Sequence, residues 1–255
     1  MTNDCPNAVR KIILHPGFHK TGTTSLQHFL RENLEVLSDY ADFYFEDDLG
    51  DVSWEARHYG KRPLFWLKER FRAHFRAFLA TVPERETIVI SCEALSGVMP
   101  GYNNLFHRPV ISYEPIARPL IELITEELRA RFGDAPALTV VFTTRESDSW
   151  LKSVFGHVSR TRGTMEGFAT FRSAFPRRSD LAREARAITS HIDGIDVMMA
   201  PLQVYTHTEF GPATAILDLL ELPEAARRRL VAQERQNVGT CPPSQESFRN
   251  QRVSA

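Results

Sequence analysis

Short apolar runs alternate along this chain with longer stretches of helical periodicity. Continuous β-branched runs at Lys11 to His15, Thr87 to Ser91, Leu138 to Thr143 and Ile195 to Met199 predict strands covered on both faces. Between and beyond them, apolar positions recur every three or four residues at Leu26 to Leu37, Pro63 to Leu79, Pro119 to Phe132, Ser147 to Arg160, Ser179 to His191, Pro212 to Leu220 and Pro223 to Gln233. These segments predict helices. The alternation predicts an α/β fold, with a central, mainly parallel sheet flanked on both faces by helices in three layers. Phe65, Trp66, Phe71, Phe75 and Phe78 fall in one helical segment, where an aromatic stripe is expected to face the core. The segments Tyr40 to Arg62 and Val98 to Glu114 show neither period. They are read as irregular loops, rich in aromatic and charged residues, of the kind that form binding walls or lids at the open end of a sheet.

Composition narrows the class. At 255 residues, 42% hydrophobic and 25% charged, the chain can bury the core of one domain spanning residues 1–255, and no linker or repeat divides it. A formal net charge of −1 argues against nucleic acid as the main partner, so any anion site must be local. Cys5, Cys92 and Cys241 are odd in number and far apart, which argues against a disulfide framework or structural zinc and fits a reducing compartment. The N-terminal residues lack the apolar core of a signal peptide, and no stretch is long enough to span a bilayer. A cytoplasmic protein is expected; its oligomeric state is not indicated.

The candidate chemistry begins at the end of the first apolar run. Residues 16–25 read PGFHKTGTTS, a glycine-containing loop with one lysine and a cluster of hydroxyls, followed by a helical stretch. A strand that feeds such a loop into a helix turns backbone N–H groups and the positive end of the helix dipole toward one spot, which favours a phosphate ester. Gly17 and Gly22 have the spacing of the nucleotide-binding pattern G-x-x-x-x-G-K-[ST], but Thr23 stands where its lysine would be, and Lys20 lies inside the loop. An ammonium there can reach the bridging oxygen of a bound group, where negative charge grows as a terminal group departs. The run Lys20-Thr21-Gly22-Thr23-Thr24 resembles the 5′-phosphosulfate loop of sulfotransferases that use 3′-phosphoadenosine 5′-phosphosulfate (PAPS).

A second segment, LTVVFTTRESDSWLKSVF, sets Arg145 at a strand end and Ser153 on the following helical pattern. A guanidinium can bind a phosphate through two parallel hydrogen bonds, and a nearby hydroxyl can add a third. The arrangement is similar to the 3′-phosphate site of the same family, as is the strand-end segment ISCEALSG to a stretch of its bacterial members. The resemblance implies a P-loop-NTPase-like α/β fold, PAPS as co-substrate without a metal, and transfer of a sulfuryl group to a hydroxyl or amine of a small-molecule or carbohydrate acceptor. Lys20, Thr21, Gly22, Thr23, Thr24 and Ser25 would bind the 5′ end, Arg145 and Ser153 the 3′-phosphate. Arg235 resembles part of a late segment that closes over the nucleotide.

The general base is assigned to Glu93, which stands just past the strand Thr87 to Ser91 and so across a cleft from Lys20. His19 is the next candidate, with His15, His58 and His107 behind it. The chain departs from the cytosolic members of the family at Ser25, where they have tryptophan, and at Glu146 to Asp148, so no adenine-stacking residue is named. Two other readings stay open: a P-loop kinase using ATP and magnesium with a displaced lysine, and a nucleotide-binding protein without catalysis.

Overall fold

A computed structural model of the chain describes residues 8–163, 167–175 and 179–232. In chain order the elements are β1 (Lys11–His15), α1 (Thr23–Glu32), α2 (Leu34–Leu37), β2 (Asp42–Phe45), α3 (Val52–Lys61), α4 (Phe65–Thr81), β3 (Thr87–Ser91), α5 (Glu114–Phe132), β4 (Ala137–Thr144), α6 (Ser147–Arg162), α7 (Phe168–Ser173), α8 (Leu181–Thr189), β5 (Asp196–Pro201), α9 (Leu202–Tyr205), α10 (Thr214–Leu220) and α11 (Glu224–Arg227). Short 3₁₀ turns at Glu46–Leu49, Glu93–Ser96 and Gly211–Ala213 connect some of them.

Five parallel strands form one sheet in the order β2-β3-β1-β4-β5. Successive side chains of a strand point to opposite faces, and the burial follows that period. Ile12 and Leu14 join Ile88, Ile90, Val140 and Phe142 in a core beneath α4, α5 and α8, whereas Ile13, Val89 and Val141 join the opposite core against α1 and α10. The three-layer α/β architecture expected from the alternating pattern is thus the one observed. β1 lies between β3 and β4, so the segments leaving those three strands emerge side by side. In open α/β sheets that carboxyl edge is where ligands bind.

Several boundaries differ from the sequence reading. The segment Tyr40 to Arg62 is not irregular: it holds β2 and α3. α3 buries Val52, Glu55, Ala56, Tyr59 and Gly60, a helical spacing disguised because a carboxylate and a glycine occupy core-facing positions. Gly60 is there because α3 crosses the chain after the Glu93–Ser96 turn at close range; a Cβ on it would lie 2.6 Å from the Val98 nitrogen. α5 starts at Glu114, five residues before Pro119; Pro115 fills the first-turn position suited to proline, and Pro119 sits inside the helix. The helix expected over Leu26 to Leu37 begins at Thr23 and breaks at Asn33 into α1 and α2. The one expected over Pro223 to Gln233 is α11 alone, with Gln233 outside the described residues. In α4, Phe71, Phe75 and Phe78 are core with Leu67, but Phe65 and Trp66 are 73% and 59% exposed, because they precede Leu67 by two and one positions and so lie off the face that it starts.

Cys92 is fully buried, and burial pushes its thiol up to about 12, so it is an inert core residue. Cys5 and Cys241 lie outside the described residues. No helix among the described residues is long and apolar enough to cross a membrane.

Candidate anion and transfer site

The loop between β1 and α1 is built from its backbone. Gly17, Lys20 and Gly22 all take left-handed conformations, with φ of 55°, 67° and 95°. For lysine this conformation is uncommon and costs roughly 1–2 kcal/mol, so the surrounding contacts must impose it. Glycine is required at position 22, because a Cβ there would lie 2.7 Å from Leu202 Cδ1 as well as needing positive φ. Gly22 is also the N-cap of α1 and brings no side chain to the helix end, so the first-turn amides of Thr23, Thr24 and Ser25 stay open to a ligand.

The hydroxyls of Thr21 and Thr23 brace the loop. Thr21 Oγ1 donates to the Phe18 carbonyl at 2.5 Å, which uses its one proton, so Thr143 Oγ1 on β4 must donate to Thr21 at 2.6 Å. Thr23 Oγ1 donates to the same Phe18 carbonyl at 3.3 Å. Both threonines are buried, so of the predicted ligand residues Thr21 and Thr23 offer their backbone to a ligand, while Thr24 is exposed and Ser25 partly so. From the other side, Ser96 Oγ donates to the Gly17 carbonyl at 2.7 Å.

Beneath the loop, His15 is fully buried. Its Nδ1 meets Ser91 Oγ at 2.8 Å, and Gln27 Nε2 donates to the Ser91 carbonyl at 2.9 Å. Burial lowers the His15 pKa to about 4, so the ring is neutral at physiological pH. It supports the loop from below and does not serve as the base.

Two donors reach the loop from the β4 side. Arg145 Nη1 donates to the carbonyl of Lys20 at 3.3 Å, and Trp150 Nε1, on α6, donates to the carbonyl of His19 at 3.0 Å. Arg145 Nε donates to Ser149 Oγ at 2.9 Å. The arginine thus engages Ser149, the residue four before the predicted Ser153; both serines lie one turn apart on the same face of α6. Ser153 is partly buried, and no contact between it and Arg145 is seen. The N-terminus of α6 is filled by its own chain, since the Glu146 carboxylate accepts from the amides of Asp148 and Ser149 at 2.9 and 2.8 Å.

Glu93 opens the 3₁₀ turn after β3 and faces this loop. Its carboxyl pKa is raised by burial and by Glu46, against the opposing pull of Lys20 and Arg57. Arg57, on α3, is held by an ion pair with Glu46 at 2.6 Å. Sequence reasoning missed both, because they lie in the segment taken as irregular; the spacing of Val52, Ala56 and Tyr59 was the signal that would have placed Arg57 on a helix. His19 is partly exposed, and its ring lies parallel to that of Tyr113 with centroids 6.0 Å apart. Burial and the neighbouring Arg57, Lys20 and His157 lower its pKa to about 3.

Lys20, Thr21 to Ser25, Arg145, Glu93 and His19 therefore meet at one carboxyl edge. His58 and His107 do not join them: His58 packs its ring against Trp54 on α3, and His107 sits exposed on the loop before α5. Arg235 lies outside the described residues. Among the described residues no group of three or more His, Cys, Asp or Glu side chains is arranged to hold a metal ion. Compared with known proteins, the chain matches no protein-family model and none of the curated proteins.

Proposed function

We propose that this protein is a sulfotransferase that uses PAPS as its sulfuryl donor. The observation that carries the reading is the meeting of two anion-binding segments 125 residues apart, where Arg145 hydrogen-bonds the carbonyl of the left-handed Lys20. The donor set fits a nucleotide with charged groups at two positions. Open amides of α1 and the Lys20 ammonium suit a phosphosulfate, and the Arg145 guanidinium with Ser149 or Ser153 suits a separate phosphate.

In the reaction, an oxygen or nitrogen of the acceptor forms a bond to sulfur as the bond from sulfur to the 5′-phosphate oxygen breaks, releasing 3′,5′-adenosine bisphosphate. Lys20 and the α1 amides stabilise the charge that collects on the departing oxygen. Glu93 accepts the acceptor's proton; its pKa, raised by burial, makes it a better base than a solvated carboxylate. The raised pKa requires activity to rise with pH as that carboxyl loses its proton. The acceptor is a small molecule or carbohydrate, and the exposed Trp54 on α3 and Leu105 and Phe106 on the loop before α5 are candidate contacts for it.

The test is calorimetric titration with 3′,5′-adenosine bisphosphate, with ADP plus Mg²⁺ as comparison. The bisphosphate is expected to bind without metal, and Arg145→Ala to weaken it about 10–100-fold, the worth of a charge-assisted hydrogen-bond pair. Preference for Mg-ADP would replace this reading with a kinase. Bisphosphate binding without sulfuryl transfer to any of a broad acceptor panel would make it a nucleotide-binding protein.

A further inference from the structure

His19 is the loop residue next to Lys20, and its surroundings fix where its proton sits. The His19 backbone N–H donates to the Tyr113 hydroxyl oxygen at 3.0 Å, and the same oxygen lies 3.1 Å from His19 Nδ1. Tyr113 is only 1% exposed, so its own O–H must find an acceptor. Among the described residues the acceptor within reach is His19 Nδ1, so the phenol donates to Nδ1 and accepts from the backbone N–H. An imidazole whose Nδ1 accepts carries its proton on Nε2. The phenol proton is firmly held, since burial, with Glu93 and Glu184 nearby, raises the Tyr113 pKa well above its ordinary value.

Nδ1 is the ring nitrogen that meets Tyr113, which leaves Nε2 without a hydrogen-bond partner among the described residues, on a partly exposed residue adjacent to Lys20. Arg57, Lys20 and His157 are the groups whose charge bears on His19. His19 shows no carboxylate partner among the described residues. A neutral ring near the Lys20 and Arg57 cations, with Nδ1 accepting and Nε2 protonated, is a hydrogen-bond donor with no lone pair free to take a proton, which removes it as a general base.

We infer that Tyr113 locks His19 in the Nε2–H tautomer and that this N–H donates to an oxygen of the anion held at Lys20. Tyr113 is the positioning residue and His19 the group that touches the anion. The inference rests on the proposed function only for the identity of that anion, the transferred sulfuryl group. Its oxygens gain a directional donor that does not compete with Lys20 for the bridging oxygen.

The test reads the ring directly, by long-range proton–nitrogen correlation on protein labelled with nitrogen-15 in histidine, His19 being assigned by its loss in His19→Gln. The expected spectrum shows His19 as the neutral Nε2–H tautomer at pH 7 and still neutral at pH 5, and Tyr113→Phe shifts it toward a mixture with Nδ1–H. Added inorganic sulfate is expected to move the Nε2–H resonance, at least tenfold less effectively in Lys20→Ala. A His19 Nδ1–H tautomer, protonation between pH 5 and 7, or an Nε2–H resonance indifferent to sulfate would overturn the inference. Because these readouts need neither PAPS nor turnover, they stand or fall separately from the sulfotransferase reading. If turnover is found, His19→Gln, which keeps an N–H, should retain more kcat than His19→Leu, whereas equal losses would argue against donation.

Discussion

The two proposed anion-binding ends of the site are made of different material. At the end of β1 the donors are backbone amides, exposed because Gly22 caps α1 without a side chain and because three left-handed residues turn the chain around a point. At the end of β4 the equivalent helix terminus is closed: Glu146 already occupies the amides of α6. An anion there would have to bind through side chains, for which Arg145, Ser149 and Ser153 are the candidates. A backbone-built site is rigid and fixed in shape, and it suits the end where charge moves during reaction. A side-chain site binds by charge and can relax, and it suits the end that, in the proposed function, only holds the nucleotide.

The comparison predicts unequal effects. Lys20→Ala should reduce turnover about 10²–10³-fold while leaving bisphosphate affinity within an order of magnitude, because the lysine acts on developing charge. Glu93→Gln should cause a loss of similar order and abolish the rise of activity with pH. Steady-state kinetics with separate kcat and KM would check both, and a Lys20→Ala defect confined to nucleotide affinity would erase the distinction between the two ends.

The β1 end also stands over a neutral buried histidine. His15 has its folded pKa lowered from 6.5 to about 4. Below pH 6.5 the unfolded chain takes up a proton that the folded chain refuses, so this contribution is fully present above pH 6.5 and is lost as pH falls toward 4. The loss amounts to about 3 kcal/mol at 1.36 kcal/mol per pKa unit. Urea melts at pH 7 and 4.5 should show it, and His15→Asn, which keeps a partner for Ser91, should flatten that part of the decline. An equal decline in the variant would assign the acid sensitivity to other groups.

The smallest effect belongs to a strut between the two ends. Trp150→Phe deletes the donor to the His19 carbonyl, and about 1 kcal/mol of stability and a several-fold loss of bisphosphate affinity are expected. An unchanged melting curve would mean that the loop holds its shape without α6.

Much of this was legible from residue order. Glycines in a polar loop after an apolar run state a backbone requirement, and backbone requirements are written in residue type; that is why the loop from Gly17 to Ser25 and the strands Lys11–His15 and Thr87–Ser91 were readable at their observed positions. Arg145 was readable because it ends a strand of near-continuous apolar residues. Trp150, Thr143 and Tyr113 were not, since a threonine or a buried aromatic has the same local signal whether or not it touches a loop more than a hundred positions away or, for Tyr113, ninety-four; nor was Ser149, since it and Ser153 share a helix face and residue order does not say which one Arg145 engages. Arg57 was hidden by a helix whose inward face carries Glu55 and Gly60.

The sequence by itself determined the parallel sheet and the glycine-containing loop after β1, because hydrophobic period and glycine placement act locally on φ, ψ and burial. Only the tertiary structure decided which side chains complete the site. It placed β1 between β3 and β4, and that order alone brings Glu93, Lys20 and Arg145 to one edge. Strand order is set by how the helical layers bury both faces of the sheet, a property of the whole chain that no single segment carries.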